Sequence, residues 1–242
     1  MPISGHVCGK GKHKEFAMAA GEMSPDQFTT FLGQAVGQIY AVSQPGALCF
    51  LFMDWRHLPE LLAAATPQFG SPIQLCVWDK GTGGMGTFYR SQHELVHVFK
   101  KKGAPHINNF ELGQHGRYRT NVWAYPGINS GKARHLLKLH PTVKPVSLIA
   151  DAIRDCSDRN GIILDPFAGS GTVLVAAERT GRHARAIELD PQYVDVGIQR
   201  WQRLTGKQAV LCGSGRSWEE VRSARSDCTA SAADDAEVSH GK

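Results

Sequence analysis

The sequence has no apolar run approaching the roughly 18 residues that a membrane span needs. Its first residues, Met1-Pro2-Ile3-Ser4-Gly5-His6, lack the charged-then-apolar order of a secretory signal. None of its six cysteines stands in a C-x-x-C pair, and six thiols in 242 residues are too dilute for a disulfide scaffold. No internal repeat is visible at any period. These absences argue against a membrane protein, a secreted mini-protein and a solenoid, and lead to the expectation of a cytoplasmic chain with buried or idle thiols. With 42% apolar residues, 20% charged residues and a formal charge of +5, the chain suits one generous domain or two small ones.

The charge is unevenly placed. Between residues 80 and 138, ten Lys and Arg face only Glu94 and Glu111, a net of +8 that leaves the remainder at −3. This segment is also rich in Gly, Asn, His and aromatics, among them Phe88, Tyr89, Tyr118, Trp123 and Tyr125. A basic, aromatic stretch inside a slightly acidic chain suits a polyanion whose phosphates Lys and Arg neutralise. A merely solvated surface is the alternative. From Ser214 onward Ser, Ala, Arg and Asp dominate, with almost no large side chain after Trp218 and Val221. Residues 214–242 therefore read as a tail, with 223–242 too poor in apolar surface to order.

Periodicity supplies the elements. Ser24-Pro25-Asp26-Gln27 has the form of a capping box. Phe28, Phe31, Leu32, Ala35, Val36, Ile39 and Tyr40 then recur at helical spacing until Pro45-Gly46. Strands are expected over 47–53, 73–78, 95–99, 162–164, 184–189 and 208–211, and further helices over 58–65, 146–156, 173–179 and 191–204. Alternating strand and helix implies a parallel α/β sheet covered on both faces.

The strongest signal is Asp165-Pro166-Phe167-Ala168-Gly169-Ser170-Gly171-Thr172, set between a strand and a helix. Glycines there let backbone approach a ligand, and the helix start offers free N–H groups to a carboxylate or phosphate. Glu188 follows 23 residues after Asp165, at the end of the next strand, where a carboxylate can accept from both hydroxyls of a ribose. The third glycine of the dinucleotide fingerprint is missing, because Leu174 stands three residues after Gly171. That argues against NAD.

Phe167-Ala168-Gly169-Ser170-Gly171, Glu188 and the upstream His140-Pro141-Thr142-Val143-Lys144-Pro145 resemble the cofactor motifs of DNA amino-methyltransferases, which modify adenine N6 or cytosine N4. The likeness is nearly continuous from Ile162 to Gly206, and Trp78-Asp79-Lys80, Arg90 to Glu94 and Phe99-Lys100 extend it toward the N-terminus. It implies a Rossmann-like, three-layer α/β sandwich that binds S-adenosylmethionine and methylates double-stranded DNA after base flipping, with adenine N6 favoured over cytosine N4. By the same resemblance Asp165, Phe167, Gly169, Gly171 and Thr172 line the cofactor and Glu188 holds its ribose. Thr142 and Lys144 then lie near its methionine end, where Lys144 makes sense as a cation facing a carboxylate.

The order of parts resembles the permuted subgroup, in which the catalytic half precedes the cofactor half and target recognition lies between them. Residues 1–213 then form the methylase domain, with 80–138 contacting DNA and 139–213 holding the cofactor. Arg90, Lys100, Arg117 and Arg119 are the expected DNA contacts. His93-Glu94-Leu95-Val96-His97 also spells the H-E-x-x-H zinc pattern. Its flanks read as a strand, which would separate the two histidines by about 13 Å, so no metal is expected.

One part of the family pattern is missing. The family presents the exocyclic amine through an Asp/Asn/Ser-Pro-Pro-aromatic motif at a central strand end, and this sequence contains none; Asp165-Pro166-Phe167 has one proline and belongs to the glycine turn. The chain is expected to begin just downstream of that motif and to lack its strand, beside 162–164, which would expose two ladder edges. A weakly active or inactive methyltransferase is one expectation, and a non-catalytic DNA- and cofactor-binding remnant is the other. An RNA or protein methyltransferase would share the glycine turn without needing the basic middle segment.

Overall fold

The computed structural model describes residues 22–84, 87–114, 118–127 and 143–225. Helix α1 (Pro25–Val42) begins with the expected box: Ser24 Oγ accepts the Gln27 amide at 3.3 Å, and the Gln27 side chain accepts the Ser24 amide at 2.8 Å. Strand β1 (Leu48–Met53) and helix α2 (Leu58–Phe69) follow. α2 runs past the expected end at residue 65, through Pro67, because the longer helix buries Phe69 against Tyr40 and Phe99, with ring centroids at 5.0 and 5.6 Å. Next come β2 (Gln74–Asp79), β3 (His93–Lys100) and the short β4 (Val122–Ala124), which pattern alone does not reveal. The C-terminal part holds α3 (Val146–Cys156), β5 (Ile162–Asp165), α4 (Thr172–Thr180), β6 (His183–Ala186) and α5 (Pro191–Thr205).

The sheet is not uniformly parallel, as the alternation of elements had implied. β3 lies between β1 and β2 and runs antiparallel to both, while β2 and β4 are parallel, giving the order β1-β3-β2-β4. The reason is the β2–β3 connection. It holds no crossover helix, so the chain turns back beside the strand it has just left. β5 and β6 form a separate parallel pair.

Strand periodicity sorts the core into layers. Cys49 and Leu51 meet α1 and α2 through Val36, Ala65 and Phe69, while Phe50 and Phe52 face Cys76, Trp78, Val96, Val98, Trp123 and Leu148 of α3. α3 also reaches the second pair of strands, where Ala150 and Ile153 pack with Ala176 and Ala177 of α4. Ile149 touches both clusters, so one helix covers parts of two sheets. Among the described residues neither the outer edge of β1 nor that of β5 has a strand partner. Beside the latter edge Ile162 is 64% exposed.

Two expectations fail beyond α5. Residues 208–211 form no strand, only an isolated bridge between Val210 and Ser217, because the Gln202 side chain takes the Ala209 amide at 2.7 Å. The chain does not become a structureless tail at 214 either, since 218–225 are helical. Trp218 anchors this stretch, donating from its ring to Asp195 on α5 at 2.8 Å and from its backbone to the Ala209 carbonyl at 3.0 Å. Residues 226–242, most of the expected tail, lie outside the described residues. No helix among the described residues is long and apolar enough to cross a membrane.

Candidate functional site

The glycine turn connects β5 to α4. Gly169 and Gly171 have φ of +51° and +72°, left-handed conformations that glycine adopts without steric cost. The ladder between the two strands continues past their ends, with Ile187 donating to the Asp165 carbonyl at 2.9 Å and Ala168 to the Ile187 carbonyl at 3.0 Å. That continuation carries Glu188 to the turn. Its Oε2 accepts the Gly169 amide at 2.7 Å and its Oε1 the Asp190 amide at 2.9 Å. A carboxylate has about four acceptor positions, so two remain, one on each oxygen, for a vicinal diol.

Other groups shape the surroundings. Gly171 is the N-cap of α4, and no side chain caps that helix start. Its first-turn amides and the positive end of the helix dipole therefore suit an anion. Arg200 of α5 adds a cation beside them, donating to the Ser170 carbonyl at 2.6 Å, to Ser170 Oγ at 2.9 Å and to Thr172 Oγ1 at 3.2 Å. Burial, with Arg179 nearby, holds the Arg200 pKa below the usual arginine value. Asp165 accepts the Phe167 amide at 3.0 Å; burial raises its pKa against the pull of that amide and of Lys144. The Phe167 ring is largely exposed, one edge against Phe31 with centroids 6.1 Å apart.

Lys144 lies one step from this turn. Its carbonyl accepts Thr172 Oγ1 at 3.3 Å, and its ammonium stands 3.4 Å from Glu94 and 4.8 Å from the Phe52 ring centroid. Glu94 also accepts from Lys80 at 2.9 Å. Burial pushes Glu94 up, but the two lysines together hold it below the usual carboxylate range. Lys144 thus already has a carboxylate partner within the protein.

The structure brings Lys144, Asp165, Phe167, Gly169, Gly171, Thr172 and Glu188 together. Thr142 lies outside the described residues, as does Arg117. The expected DNA contacts are not brought together. Arg119 pairs with Asp155 at 2.6 Å and donates to the Tyr125 hydroxyl at 3.0 Å, fastening the approach to β4 onto α3. Lys100 ends β3 six residues after Glu94, about 20 Å away along the strand and at its opposite end. Arg90 folds onto its own loop. His93 and His97 both lie in β3, too far apart to share an ion, and His97 is 3% exposed with Nδ1 unpartnered. Among the described residues no group of His, Cys, Asp and Glu is arranged to hold a metal.

Sequence reasoning missed Arg200 and the Lys80–Glu94–Lys144 node. Gly197 and Arg200, three residues apart on α5, were a signal of a helix face turned toward the glycine loop. Charge partners remote in sequence leave no such trace.

The chain is similar to known proteins. A family model described as DNA methylase matches residues 11–199. YubD of Escherichia coli (strain K12) is 31% identical over 175 residues, covering 72% of this chain and 70% of its own length. The crystal structure of the M1.HpyAVI–SAM complex superposes with a TM-score of 0.61 at 23% identity, over 73% of this chain and 84% of that one. The PvuII DNA methyltransferase, cytosine-N4-specific, superposes with a TM-score of 0.64 at 16% identity, over 77% of this chain and 75% of that one. At these identities the two structures speak to fold alone.

Proposed function

The chain belongs to the DNA methylase family of N6 and N4 amino-methyltransferases, and from that premise we propose that it binds S-adenosylmethionine at the glycine turn. It directs the methyl group to an exocyclic amine of double-stranded DNA, adenine N6 in preference to cytosine N4, on a base turned out of the duplex. The fold is the Rossmann-like α/β sandwich of these enzymes.

The observation that carries this reading is Glu188, placed against the Gly169 amide with one acceptor position open on each oxygen. The residues fit the cofactor. Glu188 takes the ribose hydroxyls, and the positive-φ backbone at Gly169 and Gly171 admits close approach. The uncapped start of α4, with Arg200 beneath it, suits the methionine carboxylate. Phe167, Asp165 and Thr172 complete the wall, and Thr142 belongs to it by resemblance. When bound, the cofactor supplies an electrophilic methyl group on sulfonium sulfur. The protein's part is to fix its position, because a methyl carbon held in line with the acceptor nitrogen needs no further activation by a covalent intermediate.

Amine presentation is the part for which this sequence carries no matching motif. Among the described residues the outer edges of β1 and β5 lack a strand partner and Ile162 is exposed, which supports a missing strand between the two sheets, carrying the Asp/Asn/Ser-Pro-Pro-aromatic motif that the sequence lacks. The chain as written then methylates DNA feebly or not at all. The alternative, a remnant that binds DNA and cofactor without turnover, is favoured by the same absence.

Calorimetry with S-adenosylmethionine tests the site, and labelled methyl transfer to duplex DNA tests the reaction, using this chain and one extended upstream by the missing strand. Uptake by both and turnover by the extended chain alone are expected. Hydrolysis of the product separates N6-methyladenine from N4-methylcytosine. Equal turnover by both chains refutes the missing-strand reading, and an extended chain that binds both ligands without turnover establishes the remnant.

A further inference from the structure

Two charged side chains of opposite sign grip the glycine turn at consecutive residues. Glu188 accepts the Gly169 amide at 2.7 Å. Arg200 of α5 takes the next residue, its Nη1 donating to the Ser170 carbonyl at 2.6 Å, to Ser170 Oγ at 2.9 Å and to Thr172 Oγ1 at 3.2 Å. The N–H of the same Ser170–Gly171 peptide donates to the Ala168 carbonyl at 2.9 Å and closes the turn. A cation on a peptide oxygen polarises the group and strengthens the bond that its N–H makes. Arg200 therefore tightens the turn as well as touching it. Thr172 carries the connection onward, because its hydroxyl accepts from Arg200 and donates to the Lys144 carbonyl at 3.3 Å.

A pair of glycines brings α5 to this place. Gly197 lies one helical turn before Arg200 on the same face. Gly171 packs on it so closely that a Cβ on Gly171 would stand 2.7 Å from Gly197 Cα. Ser170 is 3% exposed and Thr172 7%, so the guanidinium meets the buried side of the turn and leaves the other side to a ligand. Arg200 is itself half-buried, and among the described residues its charged neighbour is Arg179 rather than a carboxylate. A cation withdrawn from water and bonded only to uncharged oxygens is costly to hold. A fold that needed a pin alone would be served by a neutral donor.

We propose that Arg200 is a positioning residue for the cofactor: acting through Ser170 and Thr172, it sets the backbone on which the methionine end of S-adenosylmethionine lies. The proposal rests on the cofactor reading above and deepens it by dividing the site between two residues. Glu188 serves the ribose, whereas Arg200 serves the amino-acid end without touching the ligand. Loosening the backbone from Ser170 to Thr172 leaves the Glu188 carboxylate on its two amides. The two ends of the ligand should therefore respond differently to loss of the arginine.

The test is calorimetry on the full chain with two ligands, S-adenosylmethionine and 5′-methylthioadenosine, which keeps the adenosine and lacks the amino-acid part. Arg200→Met should bind S-adenosylmethionine about tenfold or more weakly, the equivalent of roughly one charge-assisted hydrogen bond. Its affinity for 5′-methylthioadenosine should stay within about twofold of wild type. Arg200→Lys keeps the charge with fewer donors, and should show the same selectivity with a smaller loss; it carries the test if the Met variant does not fold. Equal losses for the two ligands make the arginine merely structural and overturn the proposal, as does wild-type affinity for both ligands in the Met variant. Failure of wild type to bind S-adenosylmethionine overturns it together with the cofactor reading.

Discussion

The Glu188 carboxylate accepts the backbone amide of Gly169 at 2.7 Å, so the acidic residue at the end of one strand fixes the glycine turn at the end of its neighbour. One contact orders the loop and also orients the carboxylate, each oxygen of which accepts one backbone amide. A turn held in place before binding loses less entropy when the ligand arrives.

Replacing Glu188 with Ala removes both functions. Hydrogen bonds to a charged group are each worth about 1.5–3 kcal/mol, so S-adenosylmethionine should bind roughly 10- to 100-fold more weakly. Calorimetry reads this directly, and unchanged affinity in a folded variant removes the basis of the proposed site.

Gly171 and Gly197 touch, yet they should respond oppositely to alanine. A Cβ on Gly171 would stand 2.7 Å from Gly197 Cα, on a backbone with φ +72°, so Gly171→Ala combines a left-handed strain with a backbone clash. A loss of about 2–4 kcal/mol is expected. A Cβ on Gly197 would stand 3.5 Å from both Gly171 Cα and Leu174 Cδ1, an ordinary contact. Within α5 that change should be neutral or stabilising by up to about 1 kcal/mol. Urea midpoints of the two variants decide the matter, and equal losses would contradict the assigned packing.

His97 makes stability depend on pH. Burial lowers its pKa from 6.5, so the folded state prefers the neutral ring, whose Nδ1 has no partner. A folded value below the unfolded one gives stability that is present above about pH 6.5 and is lost as pH falls toward the folded value. His97→Leu should therefore shrink the loss of urea resistance between pH 7.5 and 5.5. Identical losses in wild type and variant would show that other groups govern that range.

Arg119 should matter for stability rather than for DNA. Its pair with Asp155 has side chains only 22% and 28% exposed, and burial raises the Asp155 pKa even with the arginine beside it. Arg119→Met should cost about 1–3 kcal/mol in a denaturant titration by leaving that carboxylate short of a partner. Its duplex affinity should stay within about twofold of wild type. A tenfold loss of DNA binding without a loss of stability would restore Arg119 as a DNA contact.

Much of the architecture was legible because its causes are local. The capping box at Ser24, the apolar stripe from Phe28 to Tyr40 and the Pro191 start of α5 each follow from neighbours within four residues, where side-chain spacing and capping chemistry act. The glycine turn and Glu188 were legible for a related reason: a tight turn at a strand end has few workable sequences. β4 escaped because three residues carry no period, and the strand expected at 208–211 failed because the glutamine seven residues before Ala209 took its amide.

The sequence by itself determined the glycine turn, the acid that follows it and the excess of positive charge in the middle of the chain. Only the tertiary structure decided how that charge is used. Lys80 and Lys144 meet on Glu94, Arg119 meets Asp155, Arg90 closes its own loop, and Phe88 and Tyr89 are left in solvent. A charge count is a property of composition, whereas its availability to a ligand depends on which opposite charges and carbonyls the fold brings within about 3 Å. Those partners come from strands and helices that only packing makes neighbours.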